Sequence, residues 1–348
     1  MNEIITSAFF HPDVGDFQSR IVMSAMTRGF ALENHVITSR AAEYYSARAK
    51  FGAGIILTEG IIVHQSGDGY NNVPHMSNLE HAMAWQNVVK SVHAYGAKIY
   101  AQLWHCGRVS HTQFTGGSAP ISSTDVRLTG INRQNGQEYS VPKKADSDDI
   151  ASIISYFTEA SRLCKLAGFH GVQLHYGHGY LLDQFLNANV NILDSPYGGT
   201  MHNRCRLALE IFKNVAHFYE PNKIQVRLSP IWKPGGVLSQ WPDWENQLKY
   251  LLEQLYSYGC RIIDISAGNS VFFECPYQVI LFVRTFWKGL IIGGASLSSS
   301  EACFLVENNV VDFVSWGRLF IANPDLASRL KHGELLFPFE SKLLKQLY

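Results

Sequence analysis

Gly171-Val-Gln-Leu-His-Tyr-Gly-His-Gly-Tyr180 is a short apolar strand that runs straight into two histidines and a tyrosine. Barrels of alternating strands and helices carry their chemistry just past the C-terminal ends of the strands. Neutral histidines can donate two hydrogen bonds to one developing oxyanion, and a tyrosine hydroxyl two residues further can deliver a proton nearby. Taken singly, His175 and His178 also suit structural strand-end positions or, with His105, a metal site, and Tyr180 suits a packed amphipathic ring. The choice turns on whether comparable strands surround this one.

They do. β-rich runs recur at Arg20 to Ala25, Gly54 to Thr58, Ala97 to Leu103, Gly171 to Leu174, Lys223 to Leu228, Arg261 to Ile265, Gly289 to Ile292 and Val311 to Ser315, each followed by a helical pattern. The clearest helix carries Ile150, Ile153, Ile154, Phe157, Ala160, Leu163, Cys164 and Ala167 at a spacing of three and four, and ends before Gly168. Ser77-x-x-Glu80 and Ser298-x-x-Glu301 match capping boxes. Trp241-Pro-Asp-Trp244 opens a helix whose buried face is Leu248, Leu251, Leu252 and Leu255, with Gly259 placed for a left-handed C-cap. Eight alternations predict an α/β fold, a closed parallel (β/α)8 TIM barrel, with an open doubly wound sheet as the alternative.

No repeat or low-complexity linker marks a second domain, so residues 1–348 read as one barrel domain. Residues 106–146, rich in Gly, Ser, Thr and Pro, exceed an ordinary connection and are expected over the active face, after the third strand. The first twenty or so residues are expected to cover the barrel floor.

Composition narrows the function. The 29 basic and 29 acidic side chains cancel without any long charge block, which argues against electrostatic capture of nucleic acid. The charged fraction is 17%, below the usual level of about 25%, while 46% of residues are hydrophobic, which favours a deeply buried globule. No apolar run is long enough to cross a bilayer and the start lacks a signal pattern, so a soluble cytoplasmic protein is expected. The six cysteines show no Cys-x-x-Cys, which predicts reduced thiols and no metal.

Polar residues follow strand after strand: Met26-Thr27-Arg28, Glu59-Gly60, Gln102-Leu-Trp-His105, His175 with His178 and Tyr180, Arg227, Gly293-Gly294 and Gly317-Arg318. Loops seven and eight of such barrels commonly seat a phosphate on backbone amides, to which Arg318 could add a charge-assisted contact. Gly293-Gly294 also suits a plain turn, Arg227 a buried carboxylate partner, and Trp104 the core. A phosphate seat, an arginine on the rim and aromatic groups suit a phosphorylated planar cofactor. The absence of a Gly-x-Gly-x-x-Gly after a strand disfavours a nicotinamide held on a Rossmann fold.

In order along the chain, Arg20-Ile-Val-Met-Ser-Ala-Met-Thr-Arg28, Thr58-Glu-Gly60, Gln102-Leu-Trp-His-Cys-Gly-Arg108, His175-Tyr-Gly-His-Gly-Tyr-Leu-Leu-Asp-Gln-Phe185, Tyr197-Gly-Gly199, Asn203-Arg204 and Trp316-Gly-Arg-Leu-Phe-Ile-Ala-Asn-Pro-Asp-Leu326 resemble the signatures of the Old Yellow Enzyme family of flavin ene-reductases. The resemblance implies FMN as cofactor and NADPH or NADH as reductant. It places Ala25, Met26, Thr27, Gly60, Gln102 and Arg227 around the flavin, and Gly294, Ala295, Ser296, Gly317 and Arg318 at its phosphate. It makes His175 and His178 the pair that binds the substrate oxygen, Tyr180 the proton donor, and Trp104 and Thr27 further substrate contacts.

The implied cycle is ping-pong. NAD(P)H reduces FMN, then flavin N5 hydride goes to the β-carbon of an α,β-unsaturated carbonyl or nitro compound while Tyr180 protonates the α-carbon. Thr27 in place of a cysteine, together with two histidines, is similar to the threonine-type branch and implies a bacterial member, a monomer or homodimer. The chain departs from the family pattern at Ala25, Leu193, Ser195 and His202, which predicts missing ion pairs around residues 193–204, and at its end, where a tyrosine-rich tail is absent. A flavin-binding barrel without turnover and a non-flavin phosphate-binding aldolase or isomerase are the alternative functions.

Overall fold

Strands of Val, Ile and Leu without polar alternation must be covered on both faces, and all eight are. In the computed structural model, which describes residues 2–348 apart from 267, 269 and 270, they are β1 (Ile21–Met23), β2 (Ile55–Ile62), β3 (Lys98–Trp104), β4 (Gly171–His175), β5 (Ile224–Leu228), β6 (Ile262–Ile265), β7 (Leu290–Gly293) and β8 (Phe313–Trp316). They form a closed parallel barrel in sequential order, sealed where Val314 of β8 pairs with Ile21 of β1. The expected (β/α)8 barrel is therefore the fold, and the open sheet is excluded.

Each strand is followed by a helix: α1 (Arg40–Lys50), α2 (Leu79–His93), α3 (Ser147–Ala167), α4 (Met201–Val215), α5 (Trp244–Ser257), α6 (Pro276–Arg284), α7 (Ser299–Glu307) and α8 (Leu326–His332). Gly259 (φ +97°) follows α5 in the left-handed conformation expected of it, and Gly168 (φ +90°) caps α3 in the same conformation. The capping box at Ser298 is formed. The one read at Ser77 is not: Asn78 is the N-cap of α2, its side chain accepting from His81 N at 3.0 Å. Asn caps as well as Ser, and Ser77 lies one residue too early.

The floor is built as expected. A hairpin (Phe9–His11 paired with Gly15–Phe17) sits under the N-terminal strand ends, where Phe17 meets Phe313 edge-on at 4.9 Å and joins Val22, Ile55, Leu57, Tyr100, Ile262, Leu290 and Ile292 in an inner apolar column. Lys98 Nζ donates to Val14 O at 3.1 Å and Arg261 pairs with Asp13 at 3.2 Å. At the opposite end, residues 106–146 pack over the segment that follows β4, Ser122 and Ser123 bonding Gln184 at 2.8 and 2.7 Å.

Arg204 is buried and donates to the carbonyls of Leu186 and Gly199 and to the amide oxygen of Gln247. All six cysteines are buried and unbridged. Among the described residues no helix is long and apolar enough to cross a membrane.

Candidate active site

The loop leaving β1 is held from β2. Glu59 Oε2 accepts from Arg28 N and Gly29 N, each at 3.0 Å, and its own N–H bonds Tyr45 Oη at 2.9 Å. This clamp leaves Thr27 on the rim. Burial pushes the Glu59 carboxyl up to about 7 against the pull of those amides. Just there β2 slips register against β3 between Leu57 and Gly60, and Thr58 Oγ1 patches the gap by accepting from Gln102 N at 3.1 Å. A bulge of this kind re-aims a strand end. Gly60 lies against Trp104, whose Cε3 would stand 2.4 Å from a Cβ at that position.

After β4 the chain turns sharply. His178 takes φ +59°, a costly conformation outside glycine, and its N–H bonds Ser229 Oγ at 2.6 Å. Asp183 accepts from Gly179 N at 2.8 Å and from Trp241 Nε1 at 2.7 Å. Burial raises the Asp183 carboxyl to about 7. The turn so fixed sets the His175 and His178 rings 5.1 Å apart and nearly perpendicular, with the Tyr180 ring 5.2 Å from His175.

Ala25, Thr27, Gln102, Trp104, His175, His178, Tyr180 and Arg227 line one cavity of about 100 Å³ at the barrel mouth. Eight residues from the ends of four strands thus converge. Desolvation, reinforced by the Arg227 charge, drives the His178 imidazole down to about 3 and His175 well below its usual value. Both rings are therefore neutral at physiological pH and can each present one N–H. His175 Nδ1 and His178 Nε2 are buried without a protein partner. Burial raises the Tyr180 phenol well above its ordinary range, which keeps its proton in place.

Arg227 enters from β5 and donates to Ser24 Oγ at 3.1 Å, Asp264 Oδ2 at 3.1 Å and Ser266 Oγ at 2.8 Å. Arg227 thus pairs with a buried carboxylate and also lines the cavity, its Nε unpartnered. Beneath it runs an amide ladder, Gln102 to Gln173 at 2.7 Å and Gln173 to Asp264 at 3.2 Å. Trp104 likewise serves both core and cavity.

The other candidates do not line this cavity. Gly294, Ala295 and Ser296 follow β7, with Ser296 at φ +57°, and a Cβ on Gly294 would meet Ser315 O at 2.2 Å. Gly317 follows β8 against the Met26 side chain, and exposed Arg318 opens the short helix Arg318–Ala322. His105 does not line the cavity: its Nδ1 accepts from Gly107 N at 3.1 Å, and its ring lies under Gly67.

Three groups escaped the sequence reading. Tyr70, on the loop after β2, meets Tyr180 hydroxyl to hydroxyl at 2.7 Å. Trp232 stands 5.6 Å from His178. Asp264 alone was legible in principle, as a carboxylate inside the apolar run Ile262-Ile-Asp-Ile265.

The chain as a whole is similar to known flavin enzymes. Residues 10–336 match the NADH:flavin oxidoreductase / NADH oxidase family. A putative 12-oxophytodienoate reductase 5 from Oryza sativa subsp. japonica is 35% identical over 325 residues, covering 91% of this chain and 84% of that protein. The old yellow enzyme homologue from Zymomonas mobilis superposes with a TM-score of 0.91 at 26% identity, covering 99% of this chain and 97% of the other. Morphinone reductase in complex with tetrahydroNAD gives 0.89 at 28% identity, covering 98% and 93%. With this barrel and this mouth, the chain belongs to the NADH:flavin oxidoreductase / NADH oxidase family, Old Yellow Enzyme homologues that use FMN and NAD(P)H, and it is a flavin ene-reductase.

Proposed function

We propose that the protein, as one FMN-binding barrel over residues 1–348, reduces the double bond of α,β-unsaturated carbonyl or nitro compounds in a ping-pong cycle. The observation that carries this reading is the pair of orphaned imidazole nitrogens, His175 Nδ1 and His178 Nε2, buried at one cavity. A buried N–H without an acceptor is costly, and a substrate oxygen placed between the two rings would satisfy both. As negative charge grows on that oxygen the two bonds strengthen, which is the differential binding that lowers a barrier. Tyr180, kept protonated by burial, gives its proton to the α-carbon.

The residues also fit FMN. Arg227 offers a cation with an unsatisfied Nε, Gln102 an amide, and Thr27 a hydroxyl at the rim. Gly60 lets the Trp104 ring pack against the main chain and would offer its backbone to the flavin. Ala25 and Met26 would back the ring, and Gly294, Ala295, Ser296, Gly317 and Arg318 would hold the phosphate by backbone amides and a guanidinium. When bound, FMN supplies the hydride, taken from NADPH or NADH. Thr27, Trp104, His175, His178 and Tyr180 then shape the seat that the alkene occupies.

The test is the visible spectrum of the purified protein under nitrogen, before and after NADPH and then a cyclic enone. A yellow protein that bleaches with NADPH and recolours with the enone is expected. A protein that stays colourless after incubation with FMN, or a bleached one that the enone leaves colourless, overturns the proposal.

A further inference from the structure

Asp68 is a carboxylate only 1% exposed, on the loop after β2, and N–H groups meet it on both oxygens. Oδ1 accepts from Gly69 N at 2.6 Å and Tyr70 N at 3.1 Å. Oδ2 accepts from His75 Nε2 at 3.0 Å. The His75 ring is stacked on His35, centroids 3.7 Å apart and planes 11° from parallel, and His35 Nε2 lies 3.8 Å from the same Oδ2. Ser110, from the long loop, donates its hydroxyl to the Asp68 carbonyl.

These three side chains lie close enough to suggest a metal site, their ligand atoms all within 4.8 Å. The stacking argues otherwise. Lone pairs of parallel rings run side by side and do not converge on one ion, as tetrahedral coordination requires. What the carboxylate does hold is the backbone of Tyr70, whose hydroxyl is 2.7 Å from that of Tyr180. Trp104 closes the third side, 4.8 Å from each ring.

We propose that Asp68, braced by His75 and His35, is a positioning residue that fixes Tyr70 against Tyr180 and so readies the proton donor. This rests on the reading of Tyr180 as that donor. When the Tyr180 O–H bond breaks and the C–H bond forms at the α-carbon, as hydride arrives at the β-carbon, Tyr180 is left as a phenolate. Tyr70 then donates its hydrogen bond to that oxygen until a solvent proton returns. A buried carboxylate holding two successive backbone N–H groups fixes the Tyr70 main chain, and a donor that is 1 Å out of place forfeits much of its effect.

The experiment uses the FMN-loaded protein and measures the two half-reactions separately by stopped flow. Asp68→Ala and Tyr70→Phe are each expected to slow reoxidation by a cyclic enone about tenfold, part of the roughly 100- to 10,000-fold that a positioned acid contributes. FMN content and reduction by NADPH stay within about twofold, and the double variant is no slower than Tyr70→Phe alone, because the residues act as one unit. Asp68→Asn, which keeps an acceptor for the two amides, restores most of the rate. Independently of turnover, the Gly69 and Tyr70 amides of Asp68→Ala exchange hydrogen at least about tenfold faster.

Equal slowing of both half-reactions, full additivity in the double variant, or unchanged amide exchange overturns the proposal. If Asp68→Ala does not fold, His75→Leu alone and combined with Tyr70→Phe decides by the same pattern. A silent Tyr180→Phe beside a slow Tyr70→Phe removes Tyr180 as donor yet leaves Asp68 holding the phenol that acts. If both Phe variants are silent, the proposal falls with that reading.

Discussion

Arg227 and Asp264 sit directly opposite each other on neighbouring strands and form an ion pair at 3.1 Å inside the barrel mouth. Burial raises the Asp264 carboxyl while the guanidinium beside it pulls it down. Removing one member of a buried pair strands the other charge. Asp264→Ala is therefore expected to cost about 3 kcal/mol or more and to loosen the hold on FMN. Denaturant unfolding and FMN release measure the two effects, and unchanged values of both would show that Arg227 is fixed by Ser24 and Ser266 alone.

Under the proposed cycle, Tyr180→Phe removes one hydroxyl that only the second half-reaction needs. FMN binding and reduction by NADPH are expected to persist, while alkene reduction slows by about 100-fold or more. Unchanged turnover on a slow alkene would take Tyr180 out of that role.

His175→Ala with His178→Ala deletes both orphaned donors. Each donor to a developing oxyanion is worth roughly 100- to 1,000-fold, so the double variant should lose alkene reduction and the red-shifted absorption that a bound phenol gives with the flavin. A phenol-induced band that survives in the double variant would place the oxygen site elsewhere.

Gly60→Ala would set a Cβ 2.4 Å from the Trp104 ring. Overpacking of this kind costs about 1–3 kcal/mol, and the displaced indole moves a wall of the cavity. Thermal unfolding should show the loss and enone KM should change. A variant identical to the parent in both would mean that Trp104 has room to retreat.

Stability should fall in mild acid. His105, His170 and His178 are driven down to about 3, chiefly by burial. Between that value and the ordinary imidazole pKa of about 6.5, the unfolded chain holds more protons than the folded one, so acid favours unfolding. Glu59 and Asp183, raised to about 7, oppose this, since their folded forms keep protons that the unfolded chain releases above about pH 4. Three histidines, with His175, His64, His75, His81 and His93 also lowered, outweigh these two carboxyls and the raised Asp264. Melting temperature should therefore rise from about pH 4.5 to 6.5, and a falling trend would contradict the burial of these rings.

Much of this molecule was legible because the barrel repeats one simple rule. Apolar runs bounded by Gly or polar residues marked all eight strands within a few residues, and residues at or just past the ends of four of them, β1, β3, β4 and β5, meet in the cavity. Residues whose role comes from distant contacts were not legible. Tyr70 reaches Tyr180 across 110 positions of sequence, and Ser24 and Ser266 meet only through Arg227. The bulge at Thr58 was equally hidden, because register depends on the partner strand and not on the residues of one strand.

The hairpin under the barrel has a bearing on traffic. With Phe9 and Phe17 packed beneath the strands, the barrel is a cup and not a tube. With the cofactor at the mouth as proposed, whatever delivers electrons and whatever accepts them come and go by the same doorway. Under the proposed cycle, two visitors that need the same face of one cofactor cannot be present together. Taking turns is then a property of the architecture, and excess of either visitor should obstruct the other.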